Sequence, residues 1–173
     1  AGESTDNQAG FTVHLIKDVS GDTIDEIAIG TPFRDDGIQQ DVGSVSIQFG
    51  APNTPKQMNI GSVDLTILGE NAGDSLGLGP TARGDFNGDH FPDLCVSSVL
   101  ADSSSQDVGS VYLLLSIPKK GIYDLANAPV KMLGETASEQ AGRSLAVFDT
   151  NKDGKADLVV GAPGVDDRAG RAY

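Results

Sequence analysis

The sequence is short of the residues that support several common kinds of protein function. It has no tryptophan, one cysteine and only 12 lysine and arginine residues against 25 acidic ones, which gives a net charge of −13. The single cysteine, Cys95, excludes a disulfide within the chain and leaves the compartment open. We expect neither nucleic-acid binding nor membrane insertion, because nucleic acids are bound by positive charge and no apolar run approaches the ~20 residues of a membrane helix.

Glycine, in contrast, is frequent, with 22 residues and no collagen-like period, which indicates many tight turns. The acidic residues are grouped rather than scattered. Three nine-residue segments with acids at positions 1, 5 and 9 begin at Asp18, Asp85 and Asp149. A short apolar run follows each segment, and Gly-Glu pairs precede them at Gly2–Glu3, Gly69–Glu70 and Gly134–Glu135. The chain therefore reads as three repeats, at residues 1–68, 69–133 and 134–173, the third incomplete.

Each repeat has the pattern of a β-sheet. We predict first strands at residues 11–17, 76–82 and 144–148, and second strands at 27–29, 94–96 and 158–160. Third strands are predicted at 44–49, 110–115 and from 171, and fourth strands at 63–68 and 130–133. Helical periodicity is absent apart from a weak indication at residues 123–126. Four strands per repeat is the content of a propeller blade, so we expect an all-β fold of about two and a half blades of a partial β-propeller.

The nine-residue segments have the composition of calcium loops. Calcium takes about six to eight oxygen ligands, and a loop supplies them best from alternate positions. We predict side-chain ligands at positions 1, 3, 5 and 9 and a backbone carbonyl ligand at position 7. The predicted sites are Asp18, Ser20, Asp22, Ile24 and Glu26; Asp85, Asn87, Asp89, Phe91 and Asp93; and Asp149, Asn151, Asp153, Lys155 and Asp157.

The residue at position 6 should set the order of the three sites from strongest to weakest, because a sharp turn there favours a positive φ. Gly154 suits such a turn, His90 tolerates it, and the β-branched Thr23 resists it, so we expect the first site to be the weakest. Asp25 is an additional acid in that loop. An EF-hand is excluded because position 12 is a strand residue in each repeat. The alternative is a set of Asp/Asn turns without metal.

The pattern Asp-x-Asn/Ser-x-Asp-x-x-x-Asp/Glu, followed by a short strand and Gly-Ala-Pro, resembles the FG-GAP repeat of integrin α-subunits. Gly161-Ala162-Pro163 matches the second half of that name, Gly30-Thr-Pro nearly matches, and Ser97-Ser departs from it. Ala-Gly replaces the Phe-Gly half. The resemblance implies a β-propeller whose calcium loops join the first and second strands. In that family calcium is structural and ligands bind on other surfaces.

No catalytic constellation is evident, so we expect a non-enzymatic module. The leading interpretation is extracellular or cell-surface adhesion, or recognition of a protein or carbohydrate ligand. The alternatives are the non-catalytic propeller portion of a secreted lyase or phospholipase, and a structural module of a bacterial surface protein. Because the third repeat is incomplete, we expect the remaining blades in the same or another chain, or homo-oligomer formation. Arg83-Gly84-Asp85 is not expected to bind cells, since Asp85 is a predicted metal ligand.

Overall fold

A computed structural model describes residues 6–52, 57–103, 105–165 and 169–173; Gly2 and Glu3 of the first Gly-Glu pair lie outside these ranges. Within them the chain is all-β, with two short 3-10 helices at Ile60–Ser62 and Leu125–Asn127. The strands are β1 (Thr12–Ile16), β2 (Glu26–Thr31), β3 (Ser44–Gln48), β4 (Leu65–Leu68), β5 (Thr81–Gly84), β6 (Asp93–Ser98), β7 (Ser110–Leu114), β8 (Gly121–Asp124), β9 (Val130–Leu133), β10 (Ser144–Phe148), β11 (Asp157–Ala162) and β12 (Arg171–Ala172). No helix in the described ranges is long and apolar enough to span a membrane.

The strands form three sheets, each of which contains the first three strands of one predicted repeat. The first has the order β1-β2-β3-β4-β8, the second β5-β6-β7-β9 and the third β10-β11-β12. Neighbouring strands are antiparallel except for β4 and β8, which are parallel. The predicted fold class, an all-β chain with the architecture of a partial β-propeller, is confirmed.

One predicted strand is displaced. The first strand of the second repeat was expected at residues 76–82, but β5 begins only at Thr81. The preceding segment contacts the first sheet instead: the Leu76 N–H donates to the carbonyl of Val42 at 3.1 Å. A Cβ on Gly77, which has φ 92°, would lie 2.9 Å from the Cα of Gly30. The residues before β5 are therefore used to join two sheets.

The weak helical indication at residues 123–126 is wrong for residues 123 and 124, whereas residues 125 and 126 lie in the second 3-10 helix. Residues 121–124 form β8, which leaves the second repeat and pairs with β4 of the first sheet. Leu125 follows in the 3-10 helix and is buried in the core between these two sheets, with Tyr123 packed against it. The segment thus covers an edge strand that would otherwise expose unpaired backbone groups.

The sheets pack face to face in chain order. Residues of the first and second sheets form one hydrophobic core, and residues of the second and third form another. The first strands lie side by side, because β5 contacts both β1 and β10. Inner strands gathered in this way, with sheets extending outward, are the arrangement of propeller blades.

Candidate metal sites

Each acidic loop joins the first and second strands of its sheet. The loops follow β1, β5 and β10 and lead into β2, β6 and β11. The second and third loops are neighbours, since the Ala156 N–H donates to the carbonyl of Asp85 at 2.7 Å. The side chains of Glu26 and Asp93 are buried where the second strands begin.

The predicted ligand residues differ in exposure. Buried residues are Glu26 and Asp93; partly buried ones are Asp18, Ser20, Ile24, Asp85 and Asp157; exposed ones are Asp22, Asn87, Asp89, Phe91, Asp149, Asn151, Asp153 and Lys155. Each loop therefore has an acidic residue at its strand end and more open positions at its tip.

All three loops have a positive φ at positions 4 and 6. Position 6 has a positive φ in each, at Thr23 (74°), His90 (68°) and Gly154 (87°). Thr23 thus adopts the conformation that a β-branched side chain resists, a strain of about 1–3 kcal/mol. Position 4 also has a positive φ in each loop, at Gly21 (80°), Gly88 (81°) and Lys152 (63°). We had not predicted this second turn, although glycine at position 4 in two loops was a signal for it.

The carboxylate at position 9 closes each loop by accepting a hydrogen bond from the N–H of position 2. The donors and acceptors are Val19 and Glu26 (2.7 Å), Phe86 and Asp93 (3.0 Å), and Thr150 and Asp157 (2.8 Å). In the third loop the Thr150 hydroxyl also donates to Asp157, and these bonds lower the pKa of that carboxyl. Position 9 therefore has a structural role in every loop as well as the predicted role of a ligand.

The carboxylate at position 5 is fixed in a similar way. It accepts the N–H of position 7 at 2.8 Å in all three loops, from Ile24 to Asp22, from Phe91 to Asp89 and from Lys155 to Asp153. Each of these bonds ends on Oδ1. The bond holds positions 5 and 7, both predicted ligands, close to each other.

The first loop differs from the others in how its acids are placed. Ligand atoms of Asp18, Asp22 and Glu26 all lie within 4.8 Å of one another, the one such group of three or more His, Cys, Asp or Glu residues found in the described ranges. In the other two loops both oxygens of the position 1 carboxylate accept backbone N–H groups. Asp85 accepts from Gly88 and His90, and Asp149 accepts from Lys152 and Gly154.

The reason for this difference lies where the first strand ends. Gly84 and Phe148 directly precede their loops and pair with the position 9 residues Asp93 and Asp157. In the first repeat Ile16 pairs with Glu26, so Lys17 is an additional residue before the loop. The following residue, Asp18, has φ 21°. The expected order, with the first site weakest, stays a prediction, and these carboxylate positions argue against it.

Ser20 occupies position 3 of the first loop. Its hydroxyl oxygen is buried and has no hydrogen-bond partner among the described residues. In the other loops position 3 is Asn87 or Asn151, whose amide donates to the position 5 carboxylate at 2.9 and 3.1 Å, respectively. The first loop thus combines three gathered carboxylates with a buried oxygen that has no partner.

The Gly-Glu pairs have a role that the sequence did not reveal. The Tyr112 hydroxyl donates to Glu70 at 2.8 Å, and the Lys131 ammonium also pairs with Glu70. One repeat later, the Arg171 guanidinium donates to Glu135 at 3.3 Å. The Glu that follows each fourth strand therefore contacts the next sheet along the chain.

Stacked antiparallel sheets with adjoining first strands, each with an acidic loop between its first two strands, define a β-propeller type module. Comparison with protein families makes this assignment more specific. The FG-GAP repeat family model matches residues 141–173, so this segment is an FG-GAP repeat, and the resemblance is confirmed there. The first two repeats are related to it by their shared loop pattern and strand order. Comparison with curated proteins found no match.

Proposed function

We propose that the chain is a calcium-stabilised recognition module of extracellular or cell-surface proteins, with calcium in a structural role and a protein or carbohydrate as ligand. The observation that supports this proposal best is the group formed by Asp18, Asp22 and Glu26. Three carboxylates so close together repel one another at neutral pH, and a bound cation would remove that repulsion. The net charge of −13 adds to the attraction for cations.

The donor set of the first loop suits calcium better than a transition metal. It consists of carboxylate oxygens, the Ser20 hydroxyl and the predicted Ile24 carbonyl, all hard oxygen donors. Histidine and cysteine, which favour zinc and copper, are absent from the sequence of this loop. The buried hydroxyl of Ser20 would gain a partner when the ion binds.

The second and third loops have the same residue pattern, and we propose that they bind calcium as well. There an ion would compete with backbone N–H groups for Asp85 and Asp149. This competition favours tighter binding at the first loop, the reverse of the order predicted from position 6. In every loop the ion would hold together the turn that sets the pairing of the first two strands.

Thermal unfolding with calcium, with magnesium and with a chelator tests the metal part of the proposal. Calcium bound only to the folded state stabilises it by about 2.7 kcal/mol at about 100 times Kd. We expect a higher Tm with calcium, little change with magnesium, and a smaller increase in Asp22→Asn, which retains the second and third sites. Asp36→Asn, at an exposed acid outside the three loops, is the control. An unchanged Tm together with no calcium in elemental analysis would refute calcium binding.

Recognition is tested separately, with glycan and protein arrays probed by the calcium-loaded chain. The resemblance to FG-GAP proteins, which the match over residues 141–173 supports, implies ligand binding on surfaces away from the metal loops. Binding that survives Asp89→Asn would support a structural role for that ion. Absence of binding on both arrays would contradict the recognition role while leaving the calcium result intact.

A further inference from the structure

The second and third acidic loops are joined by a backbone hydrogen bond. The N–H of Ala156, at position 8 of the third loop, donates to the carbonyl of Asp85, at position 1 of the second loop, at 2.7 Å. The side chain of Lys155 lies along the second loop as well, since a Cβ on Gly88 would be 2.8 Å from the Cε of Lys155. The two loops therefore contact each other through both backbone and side chain.

This hydrogen bond connects predicted ligands of the two loops. The N–H of Ala156 belongs to the same peptide group as the carbonyl of Lys155, the ligand predicted at position 7 of the third loop. The carbonyl of Asp85 shares a peptide group with the N–H of Phe86, which donates to the position 9 carboxylate of Asp93 at 3.0 Å. In a trans peptide the C=O and N–H point in opposite directions. Two peptide groups in series therefore link the Lys155 carbonyl to the Asp93 carboxylate.

The first loop lacks this connection. The equivalent donor would be position 8 of the second loop, but that residue is Pro92, which has no N–H. Within the described ranges no backbone hydrogen bond joins the first loop to the second. The first loop lies instead against the segment that follows β3, where a Cβ on Gly50 would be 2.4 Å from the carbonyl oxygen of Asp25. One pair of loops is thus linked, and the remaining loop is separate.

We propose that the second and third loops bind calcium as a coupled pair, in which the hydrogen bond from Ala156 to Asp85 makes occupancy of one loop raise the affinity of the other, and that the first loop binds independently. The inference rests on the calcium binding proposed above. The Lys155 carbonyl, once it binds an ion, makes the N–H of its peptide group a stronger donor. The same peptide is then held in place, so the second loop loses less conformational entropy when its own ion binds.

Charge repulsion between two bound ions opposes this coupling. The tips of both loops are exposed, at Asp89 and at Asp153, and salt screens interactions between exposed charges. The hydrogen bond between the loops does not depend on ionic strength in this way. We therefore expect the coupling to be positive at physiological ionic strength and to increase when salt is added.

Calcium titration followed by NMR tests the pairing, because backbone amides within each loop report the occupancy of that loop separately. Asp153→Asn weakens the third loop and should raise the calcium concentration that half-saturates the second loop, while the first loop stays unchanged. Because coupling is reciprocal, Asp89→Asn should likewise raise the concentration that half-saturates the third loop. A joint fit should give a coupling factor of about 5 or more. Asp22→Asn, in the first loop, is the matched control and should shift neither of the other two.

Ala156→Pro tests whether the hydrogen bond carries the coupling. The substitution removes the N–H, and Pro92 shows that position 8 of such a loop accommodates proline. In this background Asp153→Asn should no longer affect the second loop, whereas Ala156→Gly keeps the N–H and should keep the coupling. If Ala156→Pro does not fold, hydrogen exchange of the Ala156 amide is measured in Asp89→Asn, where it should slow when calcium is added.

Four results would overturn the proposal: a second loop that titrates identically in wild type and in Asp153→Asn, a coupling factor below 1, coupling that persists in Ala156→Pro, or exchange of the Ala156 amide that calcium does not slow. In each of these cases the loops still bind calcium, and the proposed function stands. If no loop amide responds to calcium, the proposed function fails together with this inference. Circular dichroism in chelator establishes that the variants are folded.

Discussion

The hydroxyl of Tyr112 donates a hydrogen bond to the carboxylate of Glu70, 2.8 Å away, and joins the second sheet to the end of the first repeat. Tyr112 is fully buried in the core between the two sheets. Lys131, on the strand next to Tyr112, forms an ion pair with the same carboxylate. Glu70 thus joins the first and second sheets and is not part of a calcium loop.

Removal of the Glu70 carboxylate should destabilise the protein by leaving the Tyr112 hydroxyl without its partner. We expect Glu70→Ala to cost about 1–3 kcal/mol, the penalty for an unsatisfied buried polar group. Glu70→Gln keeps an acceptor and loses only the ion pair, so it should cost less than about 1 kcal/mol. Urea denaturation measures both. Tyr112→Phe should have little further effect in the Glu70→Ala background, and strict additivity would contradict the coupling.

Thr23 offers a stabilising substitution. Its φ of 74° is unfavourable for a β-branched residue and readily adopted by glycine. We expect Thr23→Gly to raise the free energy of unfolding by about 1 kcal/mol in chelator, where metal does not contribute. Thr23→Ala keeps the unfavourable conformation without the hydroxyl and is the matched control. If alanine stabilises as much as glycine, the strain is not backbone strain.

The strands could be predicted from sequence because the apolar runs after each loop are short, buried and bounded by turn residues. The first strand of the second repeat was predicted to begin too early. Leu76 is apolar like a strand residue, but its backbone N–H donates to Val42 of the first sheet. The strand β8 could not be foreseen, since its sequence, Gly121-Ile-Tyr-Asp, has no clear alternation and its partner lies in another repeat. Pairing between distant segments leaves no local pattern.

The sequence predicted which residues belong to each candidate site but not how their carboxylates are placed in space. The composition of the loops identifies the carboxylates, yet their spacing depends on how each first strand enters its loop. Lys17 adds one residue there, which sequence alignment of the loops alone does not show. Position 6 does not distinguish the backbone conformations of the loops, because Thr23 and Gly154 both have a positive φ there, although the order of the sites stays a prediction.

Calcium titration of single-loop variants should separate the three sites. Asp22→Asn, Asp89→Asn and Asp153→Asn each keep the oxygen that accepts the position 7 N–H and remove one charge. We expect isothermal titration to lose one binding event in each, and the event lost in Asp22→Asn to be the tightest, because the first loop already gathers its carboxylates. Equal weakening of all events in every variant would mean that the loops do not bind calcium separately.

Protonation of Asp74 and of Asp36 should change the free energy of unfolding in opposite directions as the pH falls. Burial raises the pKa of Asp74, against weaker hydrogen bonds from Asn71 and Asp102 that lower it. The folded protein therefore holds the Asp74 proton more tightly than the unfolded chain, so ionised Asp74 destabilises the fold. This penalty is relieved as the pH falls through the pKa of the folded state. The pKa of Asp36 is instead lowered by N–H groups of Gln39 and Ile38, so its stabilising effect is lost as the pH falls.

Urea denaturation from pH 7 down to acidic pH, in chelator, measures both effects against wild type. Asp74→Asn should be at least as stable as wild type at pH 7, and its advantage should shrink as the pH falls, because wild-type Asp74 then becomes neutral. Asp36→Asn should be less stable at pH 7, with a deficit that also shrinks on acidification. A deficit for Asp74→Asn at pH 7 would show that the hydrogen bonds to the Asp74 carboxylate outweigh the cost of its burial.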